Sequence, residues 1–266
     1  MGQESGWSGI NIVRIFQENS FLFQELVKRD FKKKYKRTLL GMLWSMVAPL
    51  AQLLIMSVIF VNFFGQTTPH YTIYLFSGLL LYSYFNEATM AGMSSLEMNA
   101  GIISMVKVPK WLFLLSRNVS SMLNFALALV VFFLVCIVDG LPFHSSMLMI
   151  FYVIIFLTLF NVGVGLILSA LRIFFHDTEY LYGILLLLIM YASAIFYDTE
   201  SFSPSIQFIF HLNPVFCYIK YFRYAVLHGI VPELPLHALC AGYAALALLL
   251  GGFLYKRYNF KFLYYM

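Results

Sequence analysis

The chain has 266 residues, of which 61% are hydrophobic and 11% charged, with a formal net charge of +5. An ordinary soluble domain carries roughly 25% charged residues, so a soluble fold is excluded and a lipid bilayer is the expected solvent. The basic residues flank long apolar stretches rather than sitting in a polar, foldable domain, which points to membrane orientation and anionic lipid and away from nucleic acid.

In chain order, the polar start from Met1 to Asn11 leads into no short apolar core with a cleavage site, so a retained N-terminus is expected rather than a signal peptide. Residues 11–35 place Ile12, Ile15, Phe16, Phe23, Leu26, Val27 and Phe31 at helical spacing, with Arg14, Gln17, Glu25, Lys28 and Lys32 on the rest of the circumference. This predicts an amphipathic helix lying in the interface plane. The cluster Lys28, Arg29, Lys32, Lys33, Lys34, Lys36 and Arg37 sits where cytoplasmic anionic headgroups attract it. It serves as a topology anchor alone, or also as a docking surface for a partner.

A helix needs roughly 20 apolar residues to cross a hydrocarbon layer of about 30 Å. Six spans are read at 41–64, 71–92, 112–138, 146–170, 179–197 and 236–255, giving an all-α integral membrane fold. The chain then divides into a cytoplasmic segment 1–38, a six-span membrane domain 39–255 and a cytoplasmic tail 256–266. With both termini inside, 15 of the 17 Lys and Arg residues fall on the cytoplasmic side, leaving Lys220 and Arg223 outside; the positive-inside rule supports that orientation, and the cytoplasmic membrane is the expected location. The outer loops 65–70 and 139–145 are short and lack Lys and Arg. Residues 198–235 are too polar, and too interrupted by Pro204, Pro214, Pro232 and Pro235, for a clean span. Two short re-entrant helices fit them best, because irregular backbone at membrane depth is tolerated only against protein or a wet cavity. A cap over the helix ends is the alternative.

Cys136, Cys217 and Cys240 are far apart and odd in number, which fits buried thiols rather than a disulfide framework or metal cluster. No phosphate-binding Gly-x-x-x-x-Gly-Lys-Ser/Thr loop occurs, the six His residues form no His-Glu-x-x-His pair, and no Gly-x-Ser-x-Gly elbow is present. Catalysis within this chain is not expected, nor is a cofactor or metal of its own. Glu87, near the inner end of its span, reaches the headgroups by snorkelling or has a functional role.

The run Arg37-Thr38-Leu39-Leu40-Gly41-Met42-Leu43-Trp44-Ser45-Met46-Val47-Ala48-Pro49, directly after a basic interfacial helix, resembles the signature of the permease subunits of polysaccharide ABC exporters, which move lipid-linked O-antigens, capsules and teichoic acids. Physically, Trp44 suits the aromatic belt and Pro49 a kink near the inner interface. The resemblance continues in Ser77-Gly78-Leu79-Leu80-Leu81-Tyr82-Ser83-Tyr84-Phe85, in Asn99-Ala100-Gly101-Ile102-Ile103-Ser104-Met105-Val106-Lys107-Val108-Pro109-Lys110, in Leu171-Arg172-Ile173-Phe174-Phe175-His176-Asp177, and in Leu212-Asn213-Pro214 followed by Tyr221-Phe222-Arg223. Val108 and Lys110 stand where that family usually has Phe and Arg, and His176-Asp177 where it has Arg-Asp.

That resemblance implies a homodimer working with two copies of a separate nucleotide-binding subunit, which holds ATP and Mg, and a lipid-linked glycan as substrate. It implies ATPase coupling through Asn99, Ile102, Ile103, Lys107, Phe174, His176 and Asp177, and an inner-interface gate at Gly41, Trp44 and Pro49. In that family the first and fifth spans line the dimer's central channel. Phe60, Phe63, Phe64, Tyr191, Phe196 and Tyr197 are therefore the expected pathway rings, with lipid contact as their alternative, and Asn213, Pro214 and Arg223 are assigned to the external re-entrant element. Arg172 and Asp177 also suit a simple ion pair, and Gly163, Gly165 and Ala192 to Ala194 allow close helix approach. Two rival readings remain: an exporter of the same fold for a drug or lipid, and a membrane-embedded glycan or acyl transferase, which would need paired polar catalytic groups held in larger loops.

Overall fold

The long apolar runs form helices that satisfy their own backbone groups, as a bilayer demands. In the computed structural model the described residues are 14, 16–36, 41–60, 69–106, 108–199, 202–259 and 261–262, and among them every regular element is helical. The helices are α1 (Ser20–Tyr35), α2 (Trp44–Val58), α3 (Tyr71–Met93), α4 (Ala100–Met105), α5 (Trp111–Val138), α6 (Ile150–Phe174), α7 (Thr178–Ala192), α8 (Pro204–His211), α9 (Pro214–Val226) and α10 (Leu234–Tyr258). Short 3-10 turns precede α2 (Gly41–Leu43), α4 (Glu97–Asn99) and α6 (Ser145–Met149).

By length and composition, α5, the unit Ser145–Phe174 and α10 can each cross a membrane, while α2 and α7 are shorter apolar helices. At 23 residues α3 is long enough but carries Ser, Tyr, Asn and Glu among its apolar residues. It compensates by burial, with Ile73, Leu75, Ala88 and Thr89 completely enclosed at the centre of the bundle between α5 and α6.

The tightest helix pair is α6 with α10. Small residues let their backbones meet: a Cβ on Gly163 would lie 2.5 Å from the Ala247 carbonyl carbon, and one on Gly251 would lie 2.7 Å from the Gly163 oxygen. Lipid offers no hydrophobic drive between helices, so such close dispersion contact is what holds them. Gly92 of α3 approaches Gly165 of α6 in the same way.

Two cores result. The larger runs through the spans, and a second lies at one end of the bundle, where Leu26 of α1, Ile103 of α4, Leu112 to Leu114 of α5, Ile173 of α6, Tyr255 of α10 and Phe262 of the tail are buried together.

The span expected at 179–197 ends as a helix at Ala192. Beyond it, side chains from other elements occupy the carbonyls that a continuing helix would have used: Tyr71 donates to Phe196, Tyr74 to Tyr197, and Arg223 to Ala194 and Ile195. Ala194 adopts a left-handed φ of 50°, a conformation costly for a residue with a Cβ and held here by those bonds. The segment expected to re-enter forms two short helices, α8 and α9, of which α9 is packed into the bundle while α8 buries none of its residues.

Candidate functional site

The site is built where α1, α2, α3 and α5 meet. Gly41 has φ +53°, which favours glycine, and its turn launches α2. Pro49 lies inside α2, where it has no N–H to donate along the helix. Only Leu53 of α2 is buried, and Trp44 is about half exposed, so this helix is loosely held. Between it and the bundle lies a cavity of about 370 Å³, lined by Trp44, Ala48, Pro49 and Gln52 of α2, by Leu79, Leu80, Tyr84 and Glu87 of α3, by Ser121, Asn124, Phe125 and Ala128 of α5, and by Lys34 of α1.

Glu87 is the hinge of the site. One of its oxygens accepts from Lys34 Nζ at 2.9 Å and from Asn124 Nδ2 at 2.5 Å. It therefore ties α1 to α3 and α5 instead of snorkelling alone. A second cavity, of about 420 Å³, shares Lys34, Glu87, Ser121 and Asn124 with the first and adds Asp30, Lys33 and Arg117. Together they make one cleft, with a charged mouth and an apolar throat. The sequence reading did not single out the α5 wall. The signal was present: Arg117, Ser120, Ser121 and Asn124 recur at i, i+3, i+4 and i+7, a polar stripe along one face of the helix.

Next to the mouth, Asn99 is buried, accepting from Arg29 Nη2 at 2.8 Å and donating to the Ser95 carbonyl at 2.7 Å. Arg29 also pairs with Asp30, and Arg117 reaches Ser94 and Met98. Asn99 and Ile103 thus face inward and bind α4 to α1, Ile102 is half-buried, and Met98, Met105 and Val106 form the outer face of the segment. Lys107 lies outside the described residues.

The second expected coupling loop stands beside the first. Arg172 pairs with Glu97 at 2.7 Å and with Glu179 at 2.8 Å, so it joins the two loops rather than pairing with Asp177. His176 and Asp177 are exposed at the tip, and the Phe174 ring packs against those of Tyr258 and Phe262. Lys110 donates to the Asn259 carbonyl and lies over the Phe262 ring, securing the tail. Its burial pushes the ammonium below the ordinary lysine range.

At the far end of α2 and α7 the expected pathway rings come together. Phe60 stacks on Phe196 with centroids 5.3 Å apart, Tyr191 lies 6.1 Å from Phe196, and Tyr197 donates to the Tyr191 carbonyl. Tyr191 is exposed whereas Phe196 is buried within the protomer; Phe63 and Phe64 lie outside the described residues. Asn213 caps α9 by accepting from the Val215 N–H and donating to Ser193 and the Ala192 carbonyl, with Pro214 in the first turn. Arg223 is buried, its guanidinium 3.5 Å from the Tyr74 ring centroid and bonded to the carbonyls of Tyr74, Ala194 and Ile195. Among the described residues no group of three His, Cys, Asp or Glu side chains could hold a metal ion.

Comparison with known proteins gives a consistent answer. The pattern of the ABC-2 type transporter family matches residues 21–227. An O-antigen export system permease protein RfbA of Klebsiella pneumoniae is 29% identical over 213 residues, covering 79% of this chain and 82% of the relative. The RfbA of Myxococcus xanthus is 24% identical over 236 residues, 87% of this chain and 90% of its own. The polysialic acid transport protein KpsM of Escherichia coli is 23% identical over 229 residues, 85% and 86% of the two chains.

Proposed function

The chain belongs to the ABC-2 type transporter family, and on that premise we propose that it is the membrane-spanning permease of an exporter that carries lipid-linked polysaccharide across the cytoplasmic membrane. The observation that carries this reading is the cleft, whose charged mouth, where Lys33, Lys34 and Arg117 outnumber Asp30 and Glu87, suits a lipid phosphate and whose apolar throat suits the adjoining chain. Six spans with both termini inside put that mouth at the inner leaflet, and the bias of Lys and Arg supports this orientation.

Energy comes from a separate ATP-hydrolysing subunit, two copies of which serve a pair of these chains. The uncovered apolar faces of α2 and α7 support the pairing: Leu54 and Ile55 on one, and Tyr180, Leu181, Ile184 and Leu188 on the other, are mostly exposed. ATP can shift the permease only through contacts that differ between its two states. The exposed face of Met98, Met105 and Val106, with the loop tip at His176 and Asp177, receives the push. The Arg29 to Asn99 bond links the start of α4 to α1, which is itself packed on α5. The Lys34 to Glu87 link then passes the push to the cleft.

The test has two parts. Affinity-tagged chain solubilised from its native membrane should bring down an ATPase subunit; a chain that brings none sinks the exporter reading. Ala48→Trp, placed on the exposed α2 wall of the cleft, should abolish polymer at the cell surface while leaving that ATPase bound. Undiminished surface polymer in this variant would remove the cleft from the pathway.

A further inference from the structure

Of the 17 Lys and Arg residues, Lys220 and Arg223 are the two in the segment read as external. Arg223 is fully occupied by carbonyls and a ring. Lys220, three residues earlier on α9, lines a cavity of about 240 Å³ between α9 and the connection into α10. Its ammonium is held in place. His211 Nδ1 stands 2.7 Å from the Gln207 carbonyl, which only accepts, so that nitrogen carries the hydrogen. The neutral ring then presents Nε2 as an acceptor to Lys220 Nζ at 3.3 Å. The His211 carbonyl is itself fixed by the Tyr243 hydroxyl at 2.8 Å and the Cys217 thiol at 3.3 Å. The rings of Phe216 and Tyr224 each lie 5.7 Å from the ammonium. An ammonium has three donors, and one goes to His211, which leaves two for an occupant of the cavity.

Three kinds of residue line it: Lys220 with its oriented ammonium, the acidic Glu233, and an apolar wall containing Pro232 and Leu239. A bare phosphate would use the first and be repelled by the second. A neutral apolar guest would leave both charges without use. An acidic pyranose uses all three, with its carboxylate on Lys220, its hydroxyls donating to Glu233 and its C–H face on the wall. The cavity is smaller than the usual 300 Å³ or more of a drug-sized site, which limits it to about one ring.

We propose that this cavity is an external subsite for a single acidic sugar unit, met by the polymer as it leaves the permease. The origin of the ligand rests on the exporter reading, whereas the binding chemistry does not. The full chain in lipid nanodiscs, without any ATPase, is titrated with D-glucuronate and with methyl glucoside by saturation-transfer NMR, and with inorganic phosphate by phosphorus line width. Glucuronate should receive transfer and methyl glucoside little. Lys220→Gln should weaken glucuronate about tenfold, the loss expected for one charge-assisted hydrogen bond, and Lys220→Arg should keep most of the signal. Glu233→Gln should also lower it, and carries the test alone if Lys220→Gln fails to elute as a single species. Equal transfer to both sugars, glucuronate binding indifferent to these substitutions, or phosphate broadening lost in Lys220→Gln without glucuronate transfer would each overturn the subsite. A chain that binds glucuronate but retains no ATPase from membranes would overturn the exporter reading alone.

Discussion

Helices α7 and α9 are near in length, 15 and 13 residues, and α7 is the more apolar, yet α9 buries ten residues and α7 two. In water that order would be reversed. In a bilayer lipid solvates an apolar face as well as protein does, so apolarity does not decide burial; hydrogen-bonding handles and close backbone contact do. Helix α9 has such handles in Asn213, Tyr218, Tyr221 and Arg223, and α7 has few: Tyr182 donating to Thr89, and its Leu186 carbonyl accepting from Tyr82.

The sharpest way to break this contrast is Arg223→Met. It would remove the charged donor from the carbonyls of Tyr74, Ala194 and Ile195, of which Tyr74 keeps Ser77 Oγ and Ala194 the Tyr74 hydroxyl, and should cost about 4 kcal/mol at roughly 1.5 kcal/mol for each bond to a charged group. The readout is the unfolding midpoint in detergent; a shift no larger than that of a surface substitution would show that α9 is held by apolar packing after all.

Next in size, Gly163→Leu should cost about 3 kcal/mol by overpacking, since its Cβ would meet the α10 backbone. Gly183→Leu on α7, with nothing within 4 Å of its Cβ, should stay within about 0.5 kcal/mol in the isolated protomer. Similar losses at the two sites would put α7 in the packed frame and erase the distinction.

Tyr218→Phe tests a single handle. Removing the hydroxyl that donates to the Cys240 carbonyl at 2.8 Å should cost about 1 kcal/mol. Stability unchanged by this substitution would argue that ring burial alone anchors α9.

The smallest effect is expected at the cleft. Lys34 and Glu87 are both more than a third exposed, so a double-mutant cycle should return a coupling of about 0.5 kcal/mol. A coupling above about 2 kcal/mol would make the pair a structural lock and not a movable link.

Much of the helical order was legible. The spans read at 71–92 and 112–138 coincide with α3 and α5 to within a residue, because long apolar runs bounded by polar or basic residues have one solution in a membrane. The paired short helices at Pro204–His211 and Pro214–Val226 followed from the prolines. The end of α7 was not legible. Nothing between Ser193 and Tyr197 announces a break, and the donors that hold it open come from Tyr71, Tyr74 and Arg223, which are remote in sequence. For the same reason Arg172 chose Glu97 and Glu179 over its neighbour Asp177, and Asn99 turned inward to Arg29.

The sequence by itself determined that this protein lives in a bilayer and where most of its helices run. Periodicity, apolar length and the placement of Lys and Arg are local properties that every conformation of the chain must obey. Tertiary structure alone decided which polar groups meet: Glu87 with Lys34 and Asn124, Lys220 with His211, and Arg223 with the unwound end of α7. A buried donor or acceptor needs a partner, and which partner it finds depends on which helices come to lie side by side, information that no single segment carries.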